Sequence, residues 1–181
     1  PFFMSQPAAT PGPDLAARYR AVRAATEALA APLSAEDCTA QSMPDASPVK
    51  WHLAHTSWFF ETFVLESTPG YRPLQPAYRV LFNSYYHSVG EQHARPERGL
   101  ITRPGLAEVQ AYRHRVDEHC LASIERGRLT SAQLSVLELG LQHEQQHQEL
   151  ILSDVKHLLS RNPSQPVYRS SVFERAGEAA P

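Results

Sequence analysis

The segment between Thr130 and Leu159 constrains the fold more than any other part of the chain. Gln133 follows Thr130 at the spacing of a capping box, in which two side chains bind backbone N–H groups at the start of a helix. Apolar residues then recur at helical spacing until Asn162 and Pro163, where a helix is expected to stop. The pattern therefore predicts a single long helix, the most clearly patterned one in the chain.

Three earlier segments carry the same helical period. The first extends from about Asp14 to Leu33, the second starts at Pro48 with Ser47 as its N-cap, and the third starts after Pro104. The apolar stripes of the first and third segments are Leu15, Tyr19, Val22, Thr26, Leu29 and Leu33, and Leu106, Val109, Tyr112, Val116, Cys120 and Ile124. Since no segment has a convincing strand pattern, the predicted fold is all-α, a bundle of four helices.

The two ends and the middle of the chain lack this period. We expect a disordered or tag-derived start over residues 1–13, one helical domain over 14–162 and a linker or tail over 163–181. Proline, glycine and aromatic residues cluster between about 67 and 103, which predicts a long, partly ordered connection between helices two and three. Connections of this length often carry functional residues.

Composition excludes several classes of function. The 181 residues carry a formal net charge of −2 without a basic stripe, so nucleic acid is not an expected partner. No apolar run approaches the roughly 20 residues that cross a bilayer, and no signal pattern is present, so we expect a soluble, cytoplasmic protein without a membrane partner. Two cysteines, Cys38 and Cys120, are too few for a disulfide scaffold. The nine histidines are numerous and need an explanation.

Two of these histidines lie one turn apart in the fourth predicted helix. The sequence there is LQHEQQHQEL, so His143 and His147 share a helix face with Cβ atoms about 6 Å apart, close enough to bind a single ion. The alternative is a pair of packed or exposed histidines without a ligand. Gly140 and Ile151 lie near the same side and favour an inward-facing pair, for which an unpartnered imidazole would be costly.

The second predicted helix offers a third ligand. In the sequence WHLAHTSWFF, His55 shares a stripe with Trp51 and Trp58 that should face the core. His52 lies about 60° further round the helix, nearer the edge of the bundle, and is expected to be structural or exposed. Three imidazoles from two helices leave other coordination positions open, as catalytic metal sites do.

The same segment also matches H-E-x-x-H, in which two histidines bind zinc and the glutamate is the general base of a metalloprotease. Glu144 projects about 100° away from His143, as it also does in those enzymes, so spacing alone does not decide. The lack of a predicted strand to hold an extended peptide disfavours a protease, as does the inward histidine on another helix.

Three long segments of the chain resemble a known family. They are QSMPDASPVKWHLAHTSWFFETFVL, FNSYYHSVGEQHARPERGLITRP and LELGLQHEQQHQELILSDVKHLLSRNP. In this order they resemble the N-terminal DinB-like domain of the bacterial iron(II)-dependent sulfoxide synthases of ergothioneine biosynthesis, over roughly residues 15–168. The resemblance implies a DinB-like four-helix bundle in which His55, His143 and His147 bind iron(II).

The resemblance also implies substrates. Enzymes of this family use dioxygen to join the sulfur of cysteine or γ-glutamylcysteine to imidazole C2 of trimethylhistidine, leaving a sulfoxide. Arg95 and Arg98 match a pair that in some family members grips the carboxylates of the thiol substrate, and Gln146 resembles a residue that helps to position trimethylhistidine. The alternatives are a solvated loop and a surface glutamine. Glu149, two residues after His147, is expected either to orient an imidazole from outside the coordination sphere or to be exposed.

Family members continue into a second domain related to formylglycine-generating enzymes, which this sequence lacks. We therefore expect the isolated chain to bind metal without full synthase activity, unless a separate partner supplies that domain. Two other functions stay open. One is a stand-alone DinB-like thiol S-transferase, in which zinc or nickel only activates a thiol. The other is a helical interaction module without chemistry. Zinc or nickel can also replace iron in a purified preparation, because imidazole sites accept several metals.

Overall fold

The computed structural model describes residues 13–84 and 88–169, and all regular secondary structure in these ranges is helical. The helices are α1 (Pro13–Ala30), α2 (Ala35–Thr39), α3 (Val49–Phe60), α4 (Tyr78–Leu81), a 3-10 helix (Arg95–Leu100), α5 (Leu106–Glu125) and α6 (Ser131–Ser160). The predicted all-α fold is confirmed. The expected tag or disordered start falls, apart from residue 13, outside the described residues, as does the end of the tail from residue 170 onward.

Four long helices form the bundle. Helix α3 packs against α5 and α6, and α1 packs against the same two helices. The apolar stripe predicted for α5 faces the core, where Val109, Val116 and Cys120 have no exposed surface. The capping box of α6 is also present, since the Thr130 side chain accepts a hydrogen bond from the Gln133 N–H. None of the helices between residues 13 and 169 combines the length and apolar character needed to cross a membrane.

The start of α3 differs from the prediction. Pro48, not Ser47, is the N-cap, and it makes no side-chain cap bond. Ser47 instead donates its N–H to Asp154 at 3.0 Å and accepts a hydrogen bond from Arg98 at its Oγ atom at 2.8 Å. Bonds to charged groups are stronger than a cap bond between neutral groups, which explains why Ser47 takes these partners.

The long connection between α3 and α5 is anchored to the bundle by Glu61. A π-helical turn, Glu61–Leu65, continues α3, and the buried Glu61 carboxylate accepts hydrogen bonds from Tyr71 at 2.7 Å and Tyr112 at 2.6 Å. Further along the connection, Phe82 and Arg98 are also buried. The proline-rich segment is therefore packed on the bundle, and its two short helices were not predicted because prolines and glycines mask their pattern.

A buried charge cluster joins all four long helices. Glu144 of α6 accepts hydrogen bonds from Arg23 of α1 at 2.8 Å and Arg113 of α5 at 2.9 Å. The same two guanidinium groups donate to Ser57 and Thr56 of α3, at 2.7 and 2.9 Å. Burial alone would raise the pKa of Glu144, but the two arginines outweigh it and hold that pKa at about 2. The carboxylate is therefore ionised at neutral pH.

Helix α6 approaches α3 closely because Gly140 has no side chain. A Cβ atom at Gly140 would lie 2.5 Å from Cε1 of Phe60 and 3.0 Å from Cε1 of Phe59. This contact is one turn before His143, so it brings that histidine against α3.

We expect Glu144→Gln to lower the free energy of unfolding by about 3–5 kcal/mol at pH 7, because it leaves two buried guanidinium groups without their shared carboxylate. The pKa of Glu144 is lower in the folded protein than in the unfolded chain. Its stabilisation is therefore complete above the unfolded pKa and is lost as the pH falls from about 4.5 towards 2. Urea unfolding of both proteins between pH 7 and pH 3 measures this difference.

The matched control is Glu138→Gln, which removes an exposed carboxylate on the same helix that pairs with Arg18. We expect this change to cost less than about 1 kcal/mol. Equal effects of the two substitutions, or a Glu144→Gln effect that does not shrink in acid, would contradict the role given to the cluster.

Gly140→Ala should destabilise the protein by about 1–3 kcal/mol, because the added methyl group overlaps two aromatic rings. Helix propensity alone predicts the opposite sign, a gain of about 1 kcal/mol. Chemical unfolding of the variant tells whether it is destabilised or stabilised, and a variant more stable than the wild type would show that the rings of Phe59 and Phe60 move aside at little cost.

Candidate metal centre

The three histidines predicted as ligands meet between α3 and α6. Nε2 of His143 lies 3.2 Å from Nε2 of His55 and 3.1 Å from Nε2 of His147. Two nitrogens that bind one ion at about 2.1 Å, with angles between 90° and 109°, lie about 3.0–3.4 Å apart. These two separations fit that range, and the ligand atoms of all three histidines lie within 4.8 Å of one another, so the three side chains can hold a metal ion.

The hydrogen bonds of His55 present its Nε2 lone pair to this point. Nδ1 of His55 lies 2.6 Å from the backbone carbonyl oxygen of Phe82, which only accepts. The hydrogen of a neutral ring is therefore on Nδ1. The ring also stacks on Trp51, with centroids 4.5 Å apart and planes 12° from parallel.

The outer nitrogen of His147 contacts another histidine. Nδ1 of His147 lies 2.8 Å from Nδ1 of His52, and Nε2 of His52 lies 2.9 Å from Oδ2 of Asp154. His52 is only 2% exposed, so of the two alternatives expected for it the exposed one is wrong and the structural one agrees with its burial. Its partners come from α6, which a projection of α3 alone does not include.

His143 is held by packing against an aromatic ring and not by a hydrogen bond at its outer nitrogen. Its ring lies against Phe59, with centroids 4.7 Å apart, and its buried Nδ1 has no hydrogen-bond partner among the described residues. A hydrogen on Nε2 of His143 could bridge only one of its two short contacts, to His55 or to His147. Hydrogen bonds alone therefore leave at least one of the inward lone pairs without a donor, and a cation bound by all three nitrogens would satisfy every one of them.

Burial keeps the clustered imidazoles neutral at pH 7. Loss of solvation lowers the pKa of His143 to about 4 and lowers the pKa values of His52, His55 and His147 as well. Neighbouring imidazoles add to the shifts of His55 and His147. Neutral imidazole is the form that binds metals, so protons compete with an ion only in acid.

A cleft of about 380 Å³ leads from the three histidines to the surface, and Arg95, Arg98 and Gln146 line it. Arg98 is 5% exposed and donates to the hydroxyl groups of Ser47 at 2.8 Å and Ser84 at 3.0 Å. Its guanidinium carbon lies 3.4 Å from the centre of a Trp51 ring, the same side chain that stacks on His55. Arg95 is half-buried and donates to the backbone carbonyl of Asp45.

Glu149 does not join this group. It is exposed and is absent from the walls of the cleft, and the partner of His147 Nδ1 is His52 instead. A residue two positions after His147 projects about 200° round the helix, which explains why it faces away. Of its two expected roles, exposure is the observed one.

The position of Glu144 argues against the metalloprotease alternative. Both of its carboxylate oxygens bind arginines in the charge cluster, on a different face of α6 from His143. A general base must reach a water beside the metal, and this carboxylate is committed elsewhere.

The sequence placed Asp154 near the side of the helix that carries His143 and His147, but sequence reasoning gave neither Asp154 nor His52 a role at the site. A signal was available for Asp154, which follows His147 by seven residues and so lies two turns further along the same face. His52 carried no comparable signal, because its partners lie about a hundred residues away in the chain.

A family model described as the DinB superfamily matches residues 18–151, which is more than half of the chain and contains all three histidines. No curated protein matches the chain. The matched span covers most of the helical bundle, including all of α3 and the part of α6 that supplies the cluster. This chain, with its four long helices and convergent histidines, therefore belongs to the DinB superfamily.

Proposed function

We propose that this chain is the iron(II)-binding domain of a sulfoxide synthase of the ergothioneine pathway. The observation that carries the proposal is the grouping of three Nε2 atoms at a cleft that two arginines also line. Three ligands from one side would leave other coordination positions facing the cleft. A site of this kind suits chemistry better than a purely structural ion, whose coordination is normally closed by protein ligands.

The donor set supports a transition metal. Neutral imidazoles suit iron(II), zinc and nickel, and non-haem iron(II) oxygenases typically use a face of three protein ligands, two histidines and one carboxylate, with open positions. Here a third histidine would take the place of the carboxylate. Iron(II), when bound by His55, His143 and His147, would supply the reaction with dioxygen that zinc cannot. The residues of the chain hold the ion, orient the substrates and keep the imidazoles unprotonated.

The cleft supports a substrate that carries carboxylates. Arg98 is fixed by two hydroxyl groups and by Trp51, so it loses little freedom when it binds a carboxylate. Trp51 also contacts His55, which fixes the spacing between the guanidinium group and the ligand histidines. Cysteine and γ-glutamylcysteine have both the thiol and the carboxylates that this spacing would use. Gln146, at the same cleft, is the proposed contact for trimethylhistidine.

The first test is binding of iron(II) under anaerobic conditions, measured by calorimetry. We expect one equivalent to bind to the wild type. His55→Ala and His143→Ala should each weaken binding by more than the roughly 10–100-fold that changes outside the coordination sphere cost. His157→Ala is the matched control, because His157 lies on α6 but bonds Ser42 and is outside the cleft. A wild type that binds no iron(II), or binding insensitive to His143→Ala, would refute the proposal.

The second test uses the cobalt(II)-loaded protein. Cysteine or γ-glutamylcysteine should produce a thiolate-to-cobalt charge-transfer band, whereas S-methylcysteine, which has no free thiol, should produce none. Arg95→Gln should raise the apparent Kd of the thiol about tenfold by removing a charged hydrogen-bond donor. Arg115→Gln, an exposed change on α5, should not alter it.

Trimethylhistidine distinguishes the remaining alternatives. A further spectral change when it is added after the thiol would support the synthase, since a zinc or nickel thiol S-transferase has no such imidazole substrate. Absence of a thiolate band in the wild type would contradict both enzyme functions and favour the interaction module.

A further inference from the structure

We propose that His52 and Asp154 form a positioning pair that holds the ring of His147 in the one tautomer able to bind an ion at Nε2. This inference rests on the proposed function only in taking His147 as a metal ligand. The pair lies outside the three-histidine cluster and links α3 to α6.

The tautomer follows from the order of donors and acceptors. The Asp154 carboxylate only accepts, so Nε2 of His52, 2.9 Å away, donates to it. A neutral His52 then has a lone pair at Nδ1, and Nδ1 of His147 at 2.8 Å must donate to that lone pair. The single hydrogen of His147 is therefore on Nδ1, and its Nε2 presents a lone pair towards His143 at 3.1 Å.

The surroundings fix the pair in place. His52 is 2% exposed and lies edge-on to the ring of Trp51, with centroids 5.7 Å apart. Asp154 also accepts the N–H of Ser47 at 3.0 Å, and the Ser47 hydroxyl accepts from Arg98 at 2.8 Å. Neither partner can turn away from His147 without breaking several of these bonds.

The arrangement is one residue longer than the common triad of carboxylate, histidine and metal. The imidazole of His52 lies between the carboxylate and the ligand ring. Because Asp154 fixes which nitrogen of His52 donates, it also fixes which nitrogen of His147 must donate to His52. The outer partner of His55 is a backbone carbonyl, and the outer nitrogen of His143 has no partner within the described ranges. Among these residues, His147 is thus the ligand whose outer nitrogen bonds a side chain, so its tautomer can be tested by substitution.

The test compares two substitutions of His52. His52→Phe keeps a ring of similar size but cannot accept the hydrogen of His147. His52→Asn places a side-chain oxygen near the position of the original Nδ1 and can accept it. We expect the affinity for zinc, measured by competition with a chelator, to fall about 10–100-fold in His52→Phe and to recover largely in His52→Asn. His157→Phe, the same chemical change on a histidine outside the cleft, should leave the affinity within about twofold.

Nitrogen NMR of the histidine side chains shows which ring nitrogen of His147 carries the hydrogen. This position should not change if His52 only supports packing. The metal-free wild type should show the hydrogen of His147 on Nδ1, and His52→Phe should shift it towards Nε2. If His52→Phe does not fold, Asp154→Leu tests the same link at a partly exposed position and should lower zinc affinity in the same direction.

Each outcome bears on a separate claim. Zinc affinity that is unchanged in a folded His52→Phe or Asp154→Leu variant would overturn the positioning role, as would a wild-type His147 that carries its hydrogen on Nε2. A wild type that binds no metal would instead contradict the proposed function, and the tautomer measured in the metal-free protein would still decide for or against the pair.

Discussion

The pairing of Glu144 with Arg23 and Arg113 is the interaction on which the rest of the structure depends. It links α6 to α1 and α5, and through the hydroxyl groups of Ser57 and Thr56 it reaches α3. Glu144 would be a buried charge without its two arginine partners in any other rotation of α6, so the helix adopts the rotation that points residue 144 towards them. Successive residues differ by about 100° on a helix, and this rotation therefore also decides where residues 143 and 147 point.

Much of the bundle could be predicted because its information is local. The period of apolar residues predicted α1, α5 and α6. The spacing of His143 and His147, together with the position of His55 on the apolar stripe of α3, predicted the histidine cluster. Two of the errors share a physical cause, which is that each residue's partners are distant in the chain. Ser47 was expected to cap α3, but Arg98 and Asp154 take its polar groups. His52 was expected near the edge of the bundle because a projection of α3 alone does not include its partner Asp154, which lies about a hundred residues later in the chain.

The H-E-x-x-H segment shows why a motif needs its surroundings. The same letters can describe a glutamate beside a metal or a glutamate that faces another side of the helix. Here the second case holds, because arginines from two other helices bind both oxygens of Glu144. No property of the ten residues around the motif reveals those arginines, since Arg23 and Arg113 belong to α1 and α5. The identity of the carboxylate's partners, and not its spacing from His143, decides its role.

The charge cluster and the histidines occupy different faces of α6, and this division has an evolutionary consequence. The ion pairs of the charge cluster are made entirely of protein groups that do not line the cleft. Substitutions in the lining of the cleft therefore leave these ion pairs in place. A lineage built on this bundle can diversify its chemistry at little risk to folding.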